Sequence, residues 1–236
     1  MSTNCMNLLI VGGTSGIGRD FLDRVISKYQ VNISIASRSV LNYDSSDDYK
    51  SIKIDLCDVS TFSNLKESYD IIVIASGVVH NMLIGILDTH KVQSIITTNL
   101  LGQIELIDFL IRNKQVNRGA RITFISSIAA NFSMKGNSIY SVSKAGLEAF
   151  VRCCANEFQR KKILVNSVAP GMVNTKMTLD AKNNLGSQAL LIDEKKYPLG
   201  YASTDQIIDF IEYLSFSNKY INGQNIIIDG GRTITI

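Results

Sequence analysis

Short β-branched apolar runs alternate with stretches of helical periodicity from one end of this 236-residue chain to the other. Most of these runs are nearly continuous, which is typical of strands that are covered on both faces. The candidate strands are residues 7–13, 32–37, 51–55, 70–76, 121–127, 163–169 and 225–229, and helices are predicted near residues 17–29, 88–113, 138–160 and 204–216. This alternation predicts an α/β fold, a doubly wound parallel seven-stranded sheet with helices on both faces.

One domain is expected over residues 1–236, because no linker, repeat or low-complexity tract interrupts the pattern. Residues 39–50 are polar and turn-rich, so little or no helix is expected between the second and third strands. Residues 170–203 follow no readable period. Long irregular connections in compact domains are usually lids or binding loops, and we therefore expect a substrate loop at 172–202.

The charge pattern excludes several classes of partner. The formal net charge is only +3 and the basic residues are scattered, so neither nucleic acid nor a membrane is expected as a partner. The apolar runs are shorter than the roughly 18 residues that span a bilayer, and the N-terminal segment does not resemble a signal peptide. The four cysteines and two histidines have no metal-ligand spacing, so no metal site is expected. We expect a cytoplasmic protein.

A glycine-rich turn joins the first strand to the first helix in a GxxxGxG pattern. Glycine lets backbone approach a ligand closely, and the helix N-terminus offers unpaired N–H groups and partial positive charge to a pyrophosphate. The alternative is a glycine-rich turn without a ligand, but its place in a strand–helix–strand unit favours a dinucleotide. The turn residues predicted to bind it are Gly12, Thr14, Ser15, Gly16, Ile17 and Gly18.

The ends of the second and third strands predict which dinucleotide binds. Ser37 and Arg38 stand where a carboxylate would accept from both ribose hydroxyls in an NAD-binding protein. A hydroxyl and a guanidinium instead favour a 2′-phosphate, so NADP(H) is predicted over NAD(H), although Arg38 could be a solvated loop residue. Asp55 could accept from the adenine amino group beside the Leu56 backbone, whereas Asp58 is expected to cap the next helix.

Four polar residues could assemble a proton-transfer site. Tyr140 and Lys144 are four positions apart on a predicted helix, so their side chains share one face. The Lys144 ammonium, together with an oxidised nicotinamide ring, is expected to lower the pKa of the Tyr140 phenol toward working pH. Ser127 ends the preceding strand and could hold a substrate carbonyl oxygen, and Asn99 could hold a water that bridges to Lys144.

At these residues the chain resembles the short-chain dehydrogenase/reductase family, in its single-domain branch. The resemblance covers nearly the whole chain, and its pattern is nearest to 3-oxoacyl-carrier-protein reductases. The YxxxK pair alone is a weak signal, but six motifs in the family's order and spacing are specific. They lie at residues 12–18, at Asn99, and at residues 125–127, 140–144, 166–175 and 221–231.

The resemblance implies one NAD(P)-binding domain of the Rossmann fold with an Asn99–Ser127–Tyr140–Lys144 tetrad. Tyr140 would be the general acid in reduction and the general base in oxidation, and Lys144 would also bond the nicotinamide ribose. The long helices at 88–113 and 138–160 are similar to those at the family's dimer interface, so a homotetramer or homodimer is expected.

The resemblance also implies further contacts to the cofactor. Residues of the loop after the sixth strand would surround the nicotinamide and reach the pyrophosphate: Pro170, Gly171, Val173 and Thr175. Gly77 is the glycine that lets backbone approach the adenosine. The chain departs from the family at Ala75, where an asparagine usually ties the central strand to its neighbours, and cofactor affinity or sheet rigidity could be reduced there.

These features predict an NADP(H)-dependent enzyme that interconverts a carbonyl group and an alcohol by hydride transfer, most readily a ketone reductase acting on a small-molecule carbonyl compound, free or carrier-bound. Two alternatives remain open. One is an alcohol dehydrogenase working in the oxidative direction. The other is a dinucleotide-binding sensor or scaffold without turnover, although such proteins usually lose the tyrosine or the lysine that this chain keeps.

Overall fold

The apolar runs pair side by side in a computed structural model that describes residues 5–39, 48–132, 134–175 and 193–234. All strand pairs are parallel, and the order across the sheet is β3-β2-β1-β4-β5-β6-β7. The strands are β1 Asn7–Val11, β2 Asn32–Ser37, β3 Lys50–Lys53, β4 Tyr69–Ile74, β5 Val116–Ile125, β6 Leu164–Pro170 and β7 Asn225–Ile228. The prediction of a doubly wound parallel seven-stranded sheet is confirmed.

Helices cover both faces of this sheet. Their bounds are α1 Gly16–Lys28, α2 Thr89–Ile96, α3 Gly102–Arg112, α4 Ser138–Glu157 and α5 Thr204–Glu212. One apolar cluster joins α3 and α4 to one face through residues such as Leu106 and Leu147. A second cluster joins α1 and α5 to the other face through residues such as Phe21 and Ile207. Successive strand residues therefore point into different cores, which is why the strands read as continuous apolar runs.

Two predicted helices contain a wider turn than their periodicity indicates. The stretch predicted at 88–113 is α2, a π-helical turn at Thr97–Leu101, and α3. The stretch predicted at 204–216 is α5 followed by a π-helical turn at Tyr213–Ser217. A π-helical turn inserts one residue and rotates the side chains that follow it, and such turns are frequent at functional sites. The first of them turns Asn99 into the interior, where it is fully buried.

The expectation of little or no helix between β2 and β3 falls mainly on residues that the structure does not describe. The described residues on either side of positions 40–47 form no helix, and the positions themselves lie outside the described residues. A short 3₁₀ helix, Val59–Asn64, joins β3 to β4, and the Asp58 carboxylate caps it by accepting from the Ser60 N–H at 3.0 Å. The predicted capping role of Asp58 is confirmed. Most of the predicted loop at 172–202 also lies outside the description, because only residues 172–175 and 193–202 are described.

Among the described residues, the stretch Thr89–Arg112 is long and apolar enough to cross a membrane by length and composition. Several of its apolar side chains pack in the protein core. Leu106, Ile107 and Leu110 are buried in the core against the sheet. The buried polar residues Asn99 and Gln103 on the same stretch bond the backbone that follows β4. These contacts pack one side of the stretch against the sheet.

Replacing Gly102 with Ala is expected to lower the free energy of unfolding by about 1–3 kcal/mol, the usual cost of overpacking a well-packed site. Gly102 begins α3 with ordinary helical angles, so the cost is steric and not conformational. A Cβ there would overlap the Leu56 carbonyl oxygen and lie 2.8 Å from the Leu56 carbonyl carbon, which is backbone and cannot rotate away. Urea unfolding of both proteins measures the difference.

Gly146→Ala is the matched control, because it also adds a methyl group to a glycine within a helix. A Cβ at Gly146 would lie 2.9 Å from a terminal methyl carbon of Leu100, a flexible side chain that can move aside. Alanine favours helix over glycine by about 1 kcal/mol, so this variant is expected to change stability little. Equal destabilisation by the two variants would contradict the steric explanation.

Candidate active site

A cavity of about 850 Å³ runs along the carboxyl ends of the strands. It lies over the neighbouring strands β1 and β4, where the order of the sheet reverses, and this is the place where open α/β sheets bind ligands. The lining includes all but two of the residues predicted for the dinucleotide and the reaction. They are Gly12, Thr14, Ser15, Gly16, Ile17, Ser37, Arg38, Asp55, Leu56, Gly77, Ser127, Tyr140, Lys144, Pro170, Gly171, Val173 and Thr175. The two outside the lining are Gly18 and Asn99.

The glycine-rich turn is packed tightly on one side and open on the other. Gly12 has a φ of +87°, and a Cβ there would lie 2.5 Å from the Ser76 hydroxyl oxygen at the end of β4. A Cβ on Gly18 would overlap the Gly12 carbonyl oxygen, so Gly18 packs the helix against the turn and does not face the cavity. A Cβ on Gly16 would meet nothing within 4 Å. Among the described residues, no side chain caps α1 at Ser15, so its first N–H groups can bind an anion.

At the end of β2 the structure separates the roles predicted for Ser37 and Arg38. Ser37 is buried and its hydroxyl donates to the Ser39 carbonyl at 2.5 Å, so this hydroxyl is committed to the loop backbone. Arg38 is exposed at the cavity wall. Arg38 is the cationic side chain at this wall, and the contact of both side chains with a 2′-phosphate stays a prediction.

Asp55 is positioned by the turn that follows β3. One of its carboxylate oxygens accepts from the Cys57 N–H at 2.9 Å, and its own N–H donates to the Thr61 hydroxyl at 2.9 Å. These bonds hold Asp55 and Leu56 at the cavity wall, where both were predicted.

Lys144 is 3% exposed, and its ammonium group donates to the Ile125 carbonyl at the end of β5, at 2.7 Å. Burial lowers the pKa of Lys144 to about 8, while the negative charge of Glu148 acts in the opposite direction. The amine is therefore mainly protonated at neutral pH. Its nitrogen lies 5.8 Å from the centroid of the Tyr140 ring, so the two side chains share one face as predicted.

The groups of the protein itself shift the pKa of Tyr140 upward. Burial raises the pKa of Tyr140, and the hydrogen bond from the Ser127 side chain is the influence that lowers it. The Lys144 ammonium alone therefore does not bring the pKa of Tyr140 down, because burial removes the phenol from water. Tyr140 thus keeps its proton at neutral pH, next to the Ser127 hydroxyl. The expectation also included an oxidised nicotinamide ring, and with that ring the lowering stays a prediction.

The Asn99 side chain holds the backbone that follows β4. Its side-chain oxygen accepts from the Val78 N–H and its amide nitrogen donates to the Val78 carbonyl, both at 2.8 Å. The amide nitrogen also lies 3.3 Å from the Ser143 hydroxyl, which in turn donates to the Tyr140 carbonyl. Asn99 thus positions the segment after β4 against the helix that carries Tyr140. A water held by Asn99 and bridging to Lys144 stays a prediction.

Gln103 supports the same segment. It is fully buried, and its amide nitrogen donates to the Ser76 carbonyl at 3.0 Å. Ala75 stands at the position where the resemblance implied an asparagine, and its own N–H donates to the Val11 carbonyl at 2.8 Å. The backbone from residue 76 to residue 78 is therefore tied down from the long helical stretch. The sequence did not reveal this support of the segment by Gln103.

Glu148 is a buried acid that sequence reasoning missed. It is 4% exposed, and its two carboxylate oxygens accept at 2.8 Å from the Ser126 hydroxyl and the Asn131 amide. It lies four residues beyond Lys144 on α4, on the same face. That spacing was the signal that could have identified it. Glu148 ties α4 to the two segments on either side of Ser127.

Further lining residues come from distant parts of the chain. Met134 and Met172 flank the cavity. Lys135, Asp193, Lys196 and Arg232 also line it. No motif marks Arg232, which lies on the turn after β7.

A model of the family described as Enoyl-(Acyl carrier protein) reductase matches residues 58–233. The chain is 31% identical over 235 residues to the human 3-oxoacyl-[acyl-carrier-protein] reductase, covering 94% of this chain and 95% of that protein. It is 26% identical to the carbonyl reductase family member 4 of Xenopus tropicalis, with 94% of this chain and 95% of that protein covered.

Solved structures match the whole fold. A short chain dehydrogenase family protein from Francisella tularensis superposes with a TM-score of 0.88 at 25% identity, covering 98% of this chain and all of that one. ElxO with NADP bound has a TM-score of 0.85 at 22% identity, and 4-hydroxyisoleucine dehydrogenase complexed with NADH has a TM-score of 0.84 at 24% identity. Each of these covers 98% of this chain and all of the other. Solved proteins with this fold thus include one with NADP bound and one complexed with NADH.

Proposed function

Because this chain belongs to the short-chain dehydrogenase/reductase family of oxidoreductases, we propose that it reduces ketones to alcohols with NADPH. One observation carries the proposal. Ser127, Tyr140 and Lys144 line the same cavity as the glycine-rich turn at residues 12–18, so a proton donor and a dinucleotide site share one space. An enzyme of this type acts on a CH–OH group or a C=O group, and the reverse reaction uses the same side chains.

The chain's residues fit a dinucleotide along the whole cavity. The uncapped start of α1 and the open side of Gly16 would hold the pyrophosphate. Asp55 and Leu56 would border the adenine, and the remaining contacts would come from Gly77 and from the loop after β6: Pro170, Gly171, Val173 and Thr175. When it is bound, the reduced nicotinamide supplies the hydride.

The proton chemistry follows from the side chains alone. Ser127 is placed to donate to the carbonyl oxygen of a substrate, beside the phenol with which it shares a hydrogen bond. Tyr140 keeps its proton at neutral pH and can give it to the oxygen as negative charge develops there. Lys144, protonated and 5.8 Å from the ring centroid, stabilises the phenolate that remains.

The raised pKa of Tyr140 keeps the phenol protonated, as a general acid in reduction must be. A general acid must be protonated at the start of the reaction, whereas the oxidative direction needs the phenolate. The alternative of a sensor or scaffold without turnover is less consistent with a buried lysine that is kept beside a buried tyrosine. A buried ammonium is unfavourable for folding, so its retention indicates a chemical role.

The proposal is tested by following NADPH consumption with a panel of ketones: acyl thioesters, keto-sugars, quinones and steroids. The relatives named as reductases of carrier-bound 3-oxoacyl groups make thioesters the first class to try, with the carrier-bound and free forms compared. Turnover with any of these classes supports the proposal. Tight NADPH binding without turnover of any class would instead support the sensor.

NADPH is expected to bind at least about tenfold more tightly than NADH, and Arg38→Gln is expected to weaken NADPH by about 10- to 100-fold. A hydrogen bond to a charged group contributes on the order of 1.5–3 kcal/mol, and the 2′-phosphate is the group that NADH lacks. The dissociation constants of both dinucleotides for both proteins are measured by isothermal titration calorimetry.

Lys53→Gln is the control for Arg38→Gln, because it removes one exposed positive charge near the same sheet edge but outside the cavity lining. Its NADPH affinity is expected to stay close to that of the unchanged protein. If NADH binds as tightly as NADPH, or if the two variants weaken NADPH alike, the assignment of the 2′-phosphate to Arg38 is wrong.

We also propose a homodimer or homotetramer in the cytoplasm, with no nucleic-acid or membrane partner. The long helical stretch and α4 carry apolar side chains at the surface, among them Leu101 at 46% exposure and Val142 at 59%. Exposed apolar side chains on two helices are consistent with a subunit interface. Light scattering of the purified protein measures its mass.

A further inference from the structure

Arg232 is clamped at the cavity wall by two aromatic rings. Its guanidinium carbon lies 4.5 Å from the centroid of the Phe132 ring and 5.7 Å from that of Tyr197. Asp229 fixes the turn that carries it, because its carboxylate accepts from the Gly231 N–H at 2.9 Å and from the Thr233 N–H at 2.8 Å. An arginine held in this way loses little freedom when it binds a ligand.

The clamp lies on the side of the cavity where the substrate would sit. Phe132 closes the turn that follows Ser127, through a bond from its N–H to the Ile128 carbonyl at 2.8 Å. The Tyr197 hydroxyl accepts from the Met172 N–H at 3.3 Å, in the loop after β6. Arg232 therefore bridges the segments that follow β5 and β6. Arg38 lines the cavity near the opposite edge of the sheet, after β2.

The described residues give this end of the cavity an excess of positive charge. Lys135, Lys196 and Arg232 line it, and Asp193 is the carboxylate among the lining residues there. The Asp193 carboxylate accepts from the Tyr201 hydroxyl at 3.0 Å and lies 3.7 Å from the Lys196 ammonium. It is therefore engaged with Tyr201 and Lys196. The planar guanidinium of an arginine matches a carboxylate or a phosphate, which it can bind through two parallel hydrogen bonds.

We propose that Arg232 binds an anionic group of the substrate, so that the preferred ketone carries a carboxylate or a phosphate ester. This inference rests on the proposed function, because it assigns a substrate class to the same cavity. The anion would be held on the Ser127 side, which fixes the orientation of the carbonyl group relative to Tyr140. Arg232 is in this sense a specificity-determining residue and not a proton donor.

The test compares matched pairs of ketones with NADPH. Oxo carboxylates of increasing chain length are paired with their N-methyl amides, and a hydroxyketone phosphate is paired with the free hydroxyketone. The measured quantity is the ratio of kcat/KM for the anionic member to kcat/KM for the neutral member. We expect this ratio to exceed about 10 for one of the two anions and to fall by about 10- to 100-fold in Arg232→Gln. The pair that shows the effect identifies the anion.

Two further variants keep the outcome interpretable. Arg152→Gln removes an exposed positive charge outside the cavity lining and is expected to keep the ratio. Arg232→Lys keeps the charge but loses the planar fork, so the ratio should fall only in part, and it replaces Arg232→Gln if thermal unfolding shows that the latter does not fold. An unchanged ratio in the Arg232 variants would overturn the inference.

A binding experiment separates this inference from the proposed function. The same carboxylates and phosphate are titrated calorimetrically into the protein saturated with oxidised NADP, with and without the Arg232 substitution. Anion binding that depends on Arg232, without turnover of any ketone, would support the inference and refute the reductase. Anion binding that is absent, or insensitive to Arg232, would overturn the inference whether or not ketones are reduced.

Discussion

Tyr140→Phe is expected to lower kcat/KM for ketone reduction by about 10²- to 10⁴-fold, which is the range that general acid catalysis contributes. The substitution keeps the ring beside Lys144 and removes only the hydroxyl, the group that holds the proton at neutral pH. NADPH binding is expected to stay intact, because most of the residues proposed to contact the dinucleotide lie elsewhere along the cavity. Steady-state kinetics with the best ketone and calorimetric titration with NADPH measure the two effects.

Tyr220→Phe is the control, because it removes a hydroxyl from a side chain of a residue that is 96% exposed and outside the cavity lining. Its kcat/KM is expected to equal that of the unchanged protein. Unchanged turnover in Tyr140→Phe would show that another group donates the proton. A parallel loss of NADPH affinity would place the hydroxyl in cofactor binding instead.

The sheet could be predicted from the sequence because its central strands are buried on both faces and read as nearly continuous apolar runs. Strand ends were less well predicted. β5 begins at Val116 and not at residue 121, because Val116 pairs with Tyr69 across an irregularity in the register. The polar residues between them hide this extension, which depends on the neighbouring strand. The π-helical turn at Thr97–Leu101 was also missed, since one inserted residue hardly changes a helical period.

The site was predictable where its chemistry depends on short spacings. Tyr140 and Lys144 share a face because they are four residues apart on one helix. Arg232 meets Phe132 only through the order of the strands, so no local pattern could reveal the contact. The direction of the Tyr140 pKa shift also needed the fold, because burial depends on everything packed around the ring.

Lys144→Met is expected to lower turnover by about 10²- to 10⁴-fold and also to change how stability depends on pH. Burial lowers the pKa of Lys144 to about 8 in the folded protein, against an ordinary value of 10.5. Between these values the unfolded chain binds more protons at this position than the folded one, so stability rises with pH. Below about pH 8 both states are protonated and the contribution is constant. The full rise is on the order of 3 kcal/mol.

The measured quantity is the difference in free energy of unfolding between the unchanged protein and Lys144→Met, from urea titrations at about pH 7 and about pH 10. The difference is expected to move in favour of the unchanged protein as the pH rises. Lys161→Met, an exposed lysine, should show no such change. Parallel pH dependence of the unchanged protein and Lys144→Met would mean that the buried amine keeps an ordinary pKa, and the charge proposed to stabilise the Tyr140 phenolate would then be present well above pH 8.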